Sequence, residues 1–154
     1  MSHRPGALAR ILFAVYVLLV AYASLYPLQG WHGHGLSAFD YLAAPPSFVT
    51  GFDLAANILG YVPYGFLGMA ALHPRFARWT GFALVASSGA LLSLVLEAAQ
   101  SYLPTRVAAS LDVLANSGGL VAGALLAMAF LPRLLANRPL RRLRAMFLPG
   151  AATD

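Results

Sequence analysis

Several side chains that could take part in binding or catalysis fall within one short stretch, LVLEAAQSYLPTRVAASLDVLANSGG, at positions 94–119. Arginine suits phosphate or carboxylate groups, amides suit sugar or peptide groups, and a buried glutamate suits acid–base chemistry. Acids that lie close together can also hold a divalent cation. The polar residues of this stretch are Glu97, Gln100, Arg106, Asp112 and Asn116.

A similar polar pair occurs earlier in the chain, in DLAANILGYVPYGFLGMAAL, residues 53–72. Aligned with residues 112–131, DVLANSGGLVAGALLAMAFL, it matches at nine of twenty positions and pairs Asp53-x-x-x-Asn57 with a second Asp-x-x-x-Asn. Residues four apart share one face of a helix. The alignment favours an internal repeat, although two spans rich in alanine and leucine also share residues by chance.

The composition of the chain indicates which secondary-structure elements carry these polar residues. The chain has 154 residues, a mean hydropathy of +0.71 and 10% charged residues, against about 25% in soluble domains. Apolar runs of about 20 residues can cross a bilayer as helices. We therefore predict an all-α integral membrane protein with four transmembrane helices, arranged as two helical hairpins in a parallel repeat. The predicted spans are residues 7–27, 53–72, 79–102 and 110–131.

The arginines predict the orientation of these spans. Nine arginines lie at the start of the first span, between the second and third spans, or after the fourth span. Arg106 alone lies in the loops at the other side of the membrane, which are residues 28–52 and 103–109. Because basic residues favour the cytoplasmic side, both termini are predicted to be cytoplasmic. The chain then divides into an N-terminus 1–6, a membrane domain 7–131 and a basic cytoplasmic tail 132–154. The net charge of +5 follows this topology and does not call for nucleic acid.

Two further inferences follow from this layout. The first span also has the layout of a cleavable signal peptide, ending in Ala21-Tyr22-Ala23, although the arginine bias favours a retained span. At about 1.5 Å per residue, Glu97, Asn57 and Asn116 lie at one level near the outer surface. An acid inside a membrane span suggests a functional site, with Arg106 as its expected partner.

The ordered motifs resemble the VanZ-like membrane protein family, whose name comes from a component linked to resistance to the glycopeptide teicoplanin. The resemblance implies a small multi-span protein of the bacterial cell envelope, in the cytoplasmic membrane, and supplies no mechanism. Thr105 and Ala109 stand where members often have a glycine and an acid. The motifs that carry the resemblance are Asp53-x-x-x-Asn57, Pro63-Tyr64-Gly65, Glu97-x-x-Gln100, Pro104-x-Arg106, Asp112-x-x-x-Asn116 and Gly119.

Each polar residue also has a structural interpretation. Asp53 could close a capping box with Thr50, and Asp112 could follow Ser110 as an N-cap. The two asparagines could bridge helices through hydrogen bonds. Glu97 could form an ion pair that clamps the third and fourth spans together.

Three function classes remain open. The first, which we favour, is a protein that binds membrane lipids, a lipid-linked cell-wall precursor or a glycopeptide-type molecule at the outer surface. The second is an accessory subunit whose polar cluster fixes helix packing and whose Gly119-x-x-x-Gly123 face meets a membrane partner or a second copy. The third is an enzyme that uses Glu97 as acid or base. No cofactor is predicted.

Overall fold

The computed structural model describes residues 6–33, 35, 37–43 and 50–136. This part of the chain contains four long α-helices and one short 3-10 helix at Asp40–Leu42, and it has no β-strand. All four long helices are long and apolar enough to cross a membrane. They are α1 Ala7–Leu25, α2 Gly51–Leu72, α3 Arg78–Gln100 and α4 Ser110–Ala136.

The helix ends match the predicted spans within two residues, except at the end of α4. That helix continues through Pro132 and Arg133 to Ala136, so it enters the segment predicted as the start of the tail. A proline is tolerated in a membrane helix when its neighbours compensate for the missing hydrogen bond. The remainder of the predicted tail and most of the predicted N-terminus lie outside the described residues.

Cross-helix contacts give the relative directions of the helices. Phe13 of α1 packs edge-on against Tyr64 of α2, with ring centroids 5.0 Å apart, and Tyr16 reaches back to Gly60, so α1 and α2 are antiparallel. Helix α3 is antiparallel to α2, because Tyr64 meets Ser88 while Gly68 meets Val85. It is antiparallel to α4 as well, because Asn116 meets Ser93 while Leu120 meets Gly89. One end of the bundle therefore gathers residues 25, 51, 100 and 110, here called the polar end. The other, here called the arginine end, gathers residues 7, 72, 78 and 136.

The most extensive helix interface joins α2 and α4, which run parallel. A Cβ added at Gly119 would overlap the carbonyl oxygen of Ile58, and one added at Gly123 would overlap that of Val62. Glycine at both positions lets the two backbones meet, as in small-residue membrane crossings. The glycine face predicted to meet an external partner is therefore packed inside this chain. The pairing of the helices as two repeated hairpins stays a prediction.

Apolar side chains cover the outside of the bundle. Ile11 and Leu18 of α1, Leu59 of α2 and Leu91 of α3 are all at least 60% exposed. Helices that are apolar on their outer faces suit a lipid surrounding, because lipid rather than protein covers those side chains. The buried core of the bundle contains residues from all four helices, with Tyr64, Val85 and Leu120 among them.

The loop between α1 and α2 packs onto α3 at the polar end. Tyr41 is buried, and its hydroxyl donates a hydrogen bond to the carbonyl oxygen of Leu94 at 3.2 Å. Burial raises the pKa of the Tyr41 phenol, and the nearby Glu97 carboxylate raises it further. The phenol therefore remains a protonated donor that holds this loop against the helix carrying Glu97.

Candidate functional site

A cleft of about 660 Å³ opens at the polar end, between the halves of α1 and α2 nearest that end. Tyr16 closes its deep end, where the hydroxyl donates to the Gly60 carbonyl oxygen at 2.7 Å. The α3–α4 loop and the first turn of α4 supply another wall. Of the seven predicted site residues, six line this cleft: Asp53, Asn57, Glu97, Gln100, Arg106 and Asp112.

Glu97 lies on the cleft wall with only 3% of its surface exposed. Its Oε2 accepts a hydrogen bond from the backbone N–H of Ala109 at 3.0 Å, just before α4 begins. A helix N-terminus has free N–H groups and a positive dipole end, so it stabilises a carboxylate. No other hydrogen bond within the described residues reaches this carboxyl group. Glu97 therefore anchors the start of α4 and still faces the cleft.

Arg106 does not form the expected ion pair with Glu97. Its Nε donates to the carbonyl oxygen of Tyr26 at 3.2 Å, and its Nη2 donates to that of Ala23 at 2.8 Å. The last carbonyls of a helix lack intrahelical partners and carry the negative end of the dipole. The arginine therefore caps α1. The predicted ion pair between Glu97 and Arg106, which would hold the third and fourth spans together, is wrong.

Gln100 reinforces the same connection to α1. Its Nε2 donates to the carbonyl oxygen of Ser24 at 3.0 Å. Together with Arg106, it attaches the polar end of α1 to α3 and to the loop after it. This leaves the side between α1 and α2 as the open side of the cleft.

The two Asp-x-x-x-Asn motifs have different surroundings. Asn57 lies against the carboxyl group of Asp112 across the α2–α4 interface. Oδ1 of Asp112 is buried and has no hydrogen-bond partner among the residues that the structure describes. Asn116 lies behind the cleft wall, 5% exposed, and its Nδ2 donates to Ser93 Oγ at 2.9 Å. Asn116 thus bridges α4 and α3, as its structural interpretation predicted, and does not line the cleft.

Asp53 is at the exposed mouth of the cleft, where it forms the predicted capping box. Thr50 Oγ1 accepts from the Asp53 backbone N–H at 3.1 Å, and Asp53 Oδ2 accepts from the Thr50 backbone N–H at 3.0 Å. In α4, Asp112 lies in the first turn as predicted, and Ser110 is the first residue of the helix.

Two tyrosines of the cleft were not predicted as site residues. Tyr16 spans from α1 to α2. Tyr61 is 4% exposed and lines the cleft. Its buried hydroxyl lies near Ser93 and has no hydrogen-bond partner within the described part of the chain. Its position four residues after Asn57 places it on the same helix face. That spacing could have identified it.

The three acids of the cleft form a series, in which Asp112 is close enough to repel both Glu97 and Asp53. Within the described residues, no three histidine or acidic side chains are close enough together to hold a metal ion. The cleft thus carries one carboxyl group from each of α2, α3 and α4.

Four apolar helices around a partly polar cleft define a multi-pass membrane protein. A model of the VanZ/LLP1 family matches residues 13–131, which include all of the site residues. The chain belongs to this family and is a VanZ-like protein of the cell envelope. Neither the curated proteins nor the solved structures contain a match to it.

Proposed function

We propose that this protein binds the head group of an envelope amphiphile in the cleft at its polar end. Candidate ligands are an envelope lipid, a lipid-linked cell-wall intermediate or a glycopeptide-type molecule. The observation that carries the proposal is a cleft with buried polar groups on its inner wall and apolar side chains at its mouth. Ligand sites in proteins commonly combine an apolar lining with a few placed polar groups.

The dimensions and the rim support an amphiphile. About 660 Å³ is within the range of about 300–1,000 Å³ for small-molecule sites. Leu19 and Phe52 line the cleft and are 55% and 81% exposed. An apolar chain could lie on these side chains while its head group contacts Asn57 and the acids further in.

The proposed location is the bacterial cytoplasmic membrane, with the arginine end in the cytoplasm and the polar end outside. The described arginines of the arginine end are Arg10, Arg75, Arg78 and Arg133. Basic residues near span ends favour the cytoplasmic side. In this orientation the cleft opens in the outer leaflet, where envelope intermediates and external amphiphiles are accessible.

A cleft-filling variant tests the proposal. Gly60 lines the cleft, and a Cβ added there meets nothing within 4 Å. Gly60→Leu should fill part of the cleft without disturbing helix packing. Gly118→Leu is the matched control, because Gly118 is also unobstructed and is exposed on α4 away from the cleft.

Native mass spectrometry would compare the lipids retained by each variant after extraction in mild detergent. We expect an adduct on the wild-type protein and on Gly118→Leu that is lost from Gly60→Leu. Equal adducts on all three proteins would contradict binding in the cleft. Thermal unfolding of each variant would verify that the lost adduct does not result from misfolding.

A structural role for the polar cluster is the second candidate. It is favoured by the interhelix hydrogen bonds of Gln100 and Asn116 and by the caps that Glu97 and Arg106 provide. In this role the groups fix helix packing in a subunit that associates with a membrane partner or a second copy. The same experiment separates the two, since a purely structural cluster predicts no adduct that Gly60→Leu removes.

A further inference from the structure

The charges around the cleft are unequal. Asp53, Glu97 and Asp112 line it, and Arg106 is the one arginine at this end of the described chain. The sequence contains no lysine. Two N–H groups of Arg106 already donate to carbonyl oxygens at the end of α1. The arginine predicted to bind an anionic ligand is thus engaged with the protein itself.

Among the described residues, no arginine forms an ion pair with Glu97 or Asp112, although Arg106 is close enough to attract the Glu97 carboxylate. Glu97 is nearly fully buried, and within the described residues a single backbone N–H is its hydrogen-bond partner. Asp112 lies against Asn57, but its Oδ1 is buried with no hydrogen-bond partner among those residues. A buried carboxylate without a counter-charge is costly. A positive group placed between them would offset that cost.

An independent feature of the same cleft also indicates a ligand. The Tyr61 side chain is only 4% exposed. Its hydroxyl lies near the Ser93 side chain but forms no hydrogen bond within the described residues. Buried polar groups in native proteins rarely remain unpaired. The rings of Tyr16 and Tyr61 both line the cleft, and aromatic rings attract amines and quaternary ammonium groups through their faces.

We propose that the cleft binds an amphiphile with an amine-bearing head group, held between Glu97 and Asp112 against the tyrosine rings. This inference rests on the proposed function and specifies its ligand class. The apolar chain of the ligand leaves between α1 and α2 and lies on Leu19 and Phe52, both of which are exposed at the mouth. The closed sides are those where Gln100 and Arg106 attach α1 to its neighbours.

The test uses two single-chain probes that differ in head-group charge, dodecylamine and dodecyl phosphate. Each is titrated into the full-length protein in dodecyl maltoside, and bound probe is counted by native mass spectrometry. Asp112→Asn and Glu97→Gln remove one acid each and preserve the shape of the side chain. The amide oxygen that Glu97→Gln introduces can still accept from the Ala109 N–H. Asp40→Asn is the matched control, because Asp40 is exposed on the loop at the same end and does not line the cleft.

We expect dodecylamine to bind the wild-type protein and Asp40→Asn equally. Glu97→Gln and Asp112→Asn should each weaken this binding at least about tenfold, as loss of one partner of a buried charge pair does. Dodecyl phosphate should bind more weakly than dodecylamine. Gly60→Leu should abolish the binding of dodecylamine, and all variants should unfold at temperatures close to that of the wild type.

The other outcomes have separate meanings. Tighter binding of dodecyl phosphate, lost in Gly60→Leu, would overturn the amine class and leave the proposed function standing. Unchanged dodecylamine binding in both acid variants would overturn the amine class as well. If neither probe binds, and no co-purified adduct depends on Gly60, both the ligand class and the proposed function are wrong.

Discussion

The parallel crossing of α2 and α4 leads to a quantitative prediction for Gly123→Ala. The added methyl group would overlap the carbonyl oxygen of Val62, which is main chain and cannot rotate away as a side chain would. The two helices must therefore separate. Gly118→Ala adds the same methyl group to the same helix, at a position where nothing lies within 4 Å.

Comparing the two variants isolates the steric cost. Replacing glycine by alanine inside a helix stabilises the helix by about 1 kcal/mol in water. Both variants gain this stabilisation, because both positions are inside α4. Overpacking costs about 1–3 kcal/mol, and an obstacle made of main chain favours the upper end. We therefore expect Gly123→Ala to be less stable than Gly118→Ala by about 3 kcal/mol, a factor of about 100 in the folding equilibrium.

Unfolding in mixed micelles with increasing mole fractions of dodecyl sulfate would measure this difference, with helix content followed by circular dichroism. Gly119→Ala is a second case, because its methyl group would overlap the carbonyl oxygen of Ile58. If both interface variants were as stable as Gly118→Ala, the backbones of α2 and α4 would not meet as closely as described. The parallel interface that positions Asn57 beside Asp112 would then be refuted.

Three further predictions concern hydrogen bonds at the polar end. Ser93→Ala removes the hydrogen-bond acceptor for Asn116. It should lower the free energy of unfolding by about 0.6 kcal/mol, the membrane average, and by at most about 1.7 kcal/mol. The same micelle titration measures this loss, with an Asn116→Ala double-mutant cycle as the control. Arg106→Gln removes both hydrogen bonds to the end of α1. Amide hydrogen exchange at residues 23–26 should therefore accelerate, while the α2–α4 interface stays protected. Unchanged exchange at residues 23–26 would contradict the role of Arg106 as the cap of α1. The pKa of Tyr41 is raised in the folded protein. Its contribution to stability should therefore be complete below the unfolded pKa of about 10 and should disappear as the pH rises through the higher folded pKa. Tyr41→Phe should not show this loss of stability at alkaline pH.

The sequence predicts the helices well because membrane spans are defined by long apolar runs. It also places Glu97 and Asn57 at one level, since helical rise is constant. Helix α4 extends five residues beyond residue 131, the predicted end of the fourth span, for a physical reason. Pro132 and Arg133 look like the boundary of a span, but helix geometry continues past a proline when the surroundings compensate for its missing donor.

The partners of the polar residues are harder to predict. The direction of Arg106 depends on the path of the α3–α4 loop, which brings the arginine to the free carbonyls of α1. The separation of Asp112 from Asn116 depends on the rotation of α4 about its axis. That rotation is set by the contact of Gly119 with Ile58, which turns Asn116 toward α3 and Asp112 toward the cleft. Spacing on one helix cannot reveal such contacts between helices.

The aligned glycines of the two Asp-x-x-x-Asn segments explain where the cleft forms. The alignment pairs Gly60 with Gly119, yet only Gly119 packs against a neighbouring backbone, while the space beside Gly60 is open. Helices α2 and α4 run parallel and meet through Gly119 and Gly123 of α4 and Gly65 of α2. The face of α2 that carries Gly60 turns toward α1 instead. There Tyr16 reaches the Gly60 carbonyl at 2.7 Å, and the space above it is the cleft. Of the aligned pair, Gly119 thus brings two helices together, whereas Gly60 leaves open space in the cleft that Asp53 and Asp112 also line.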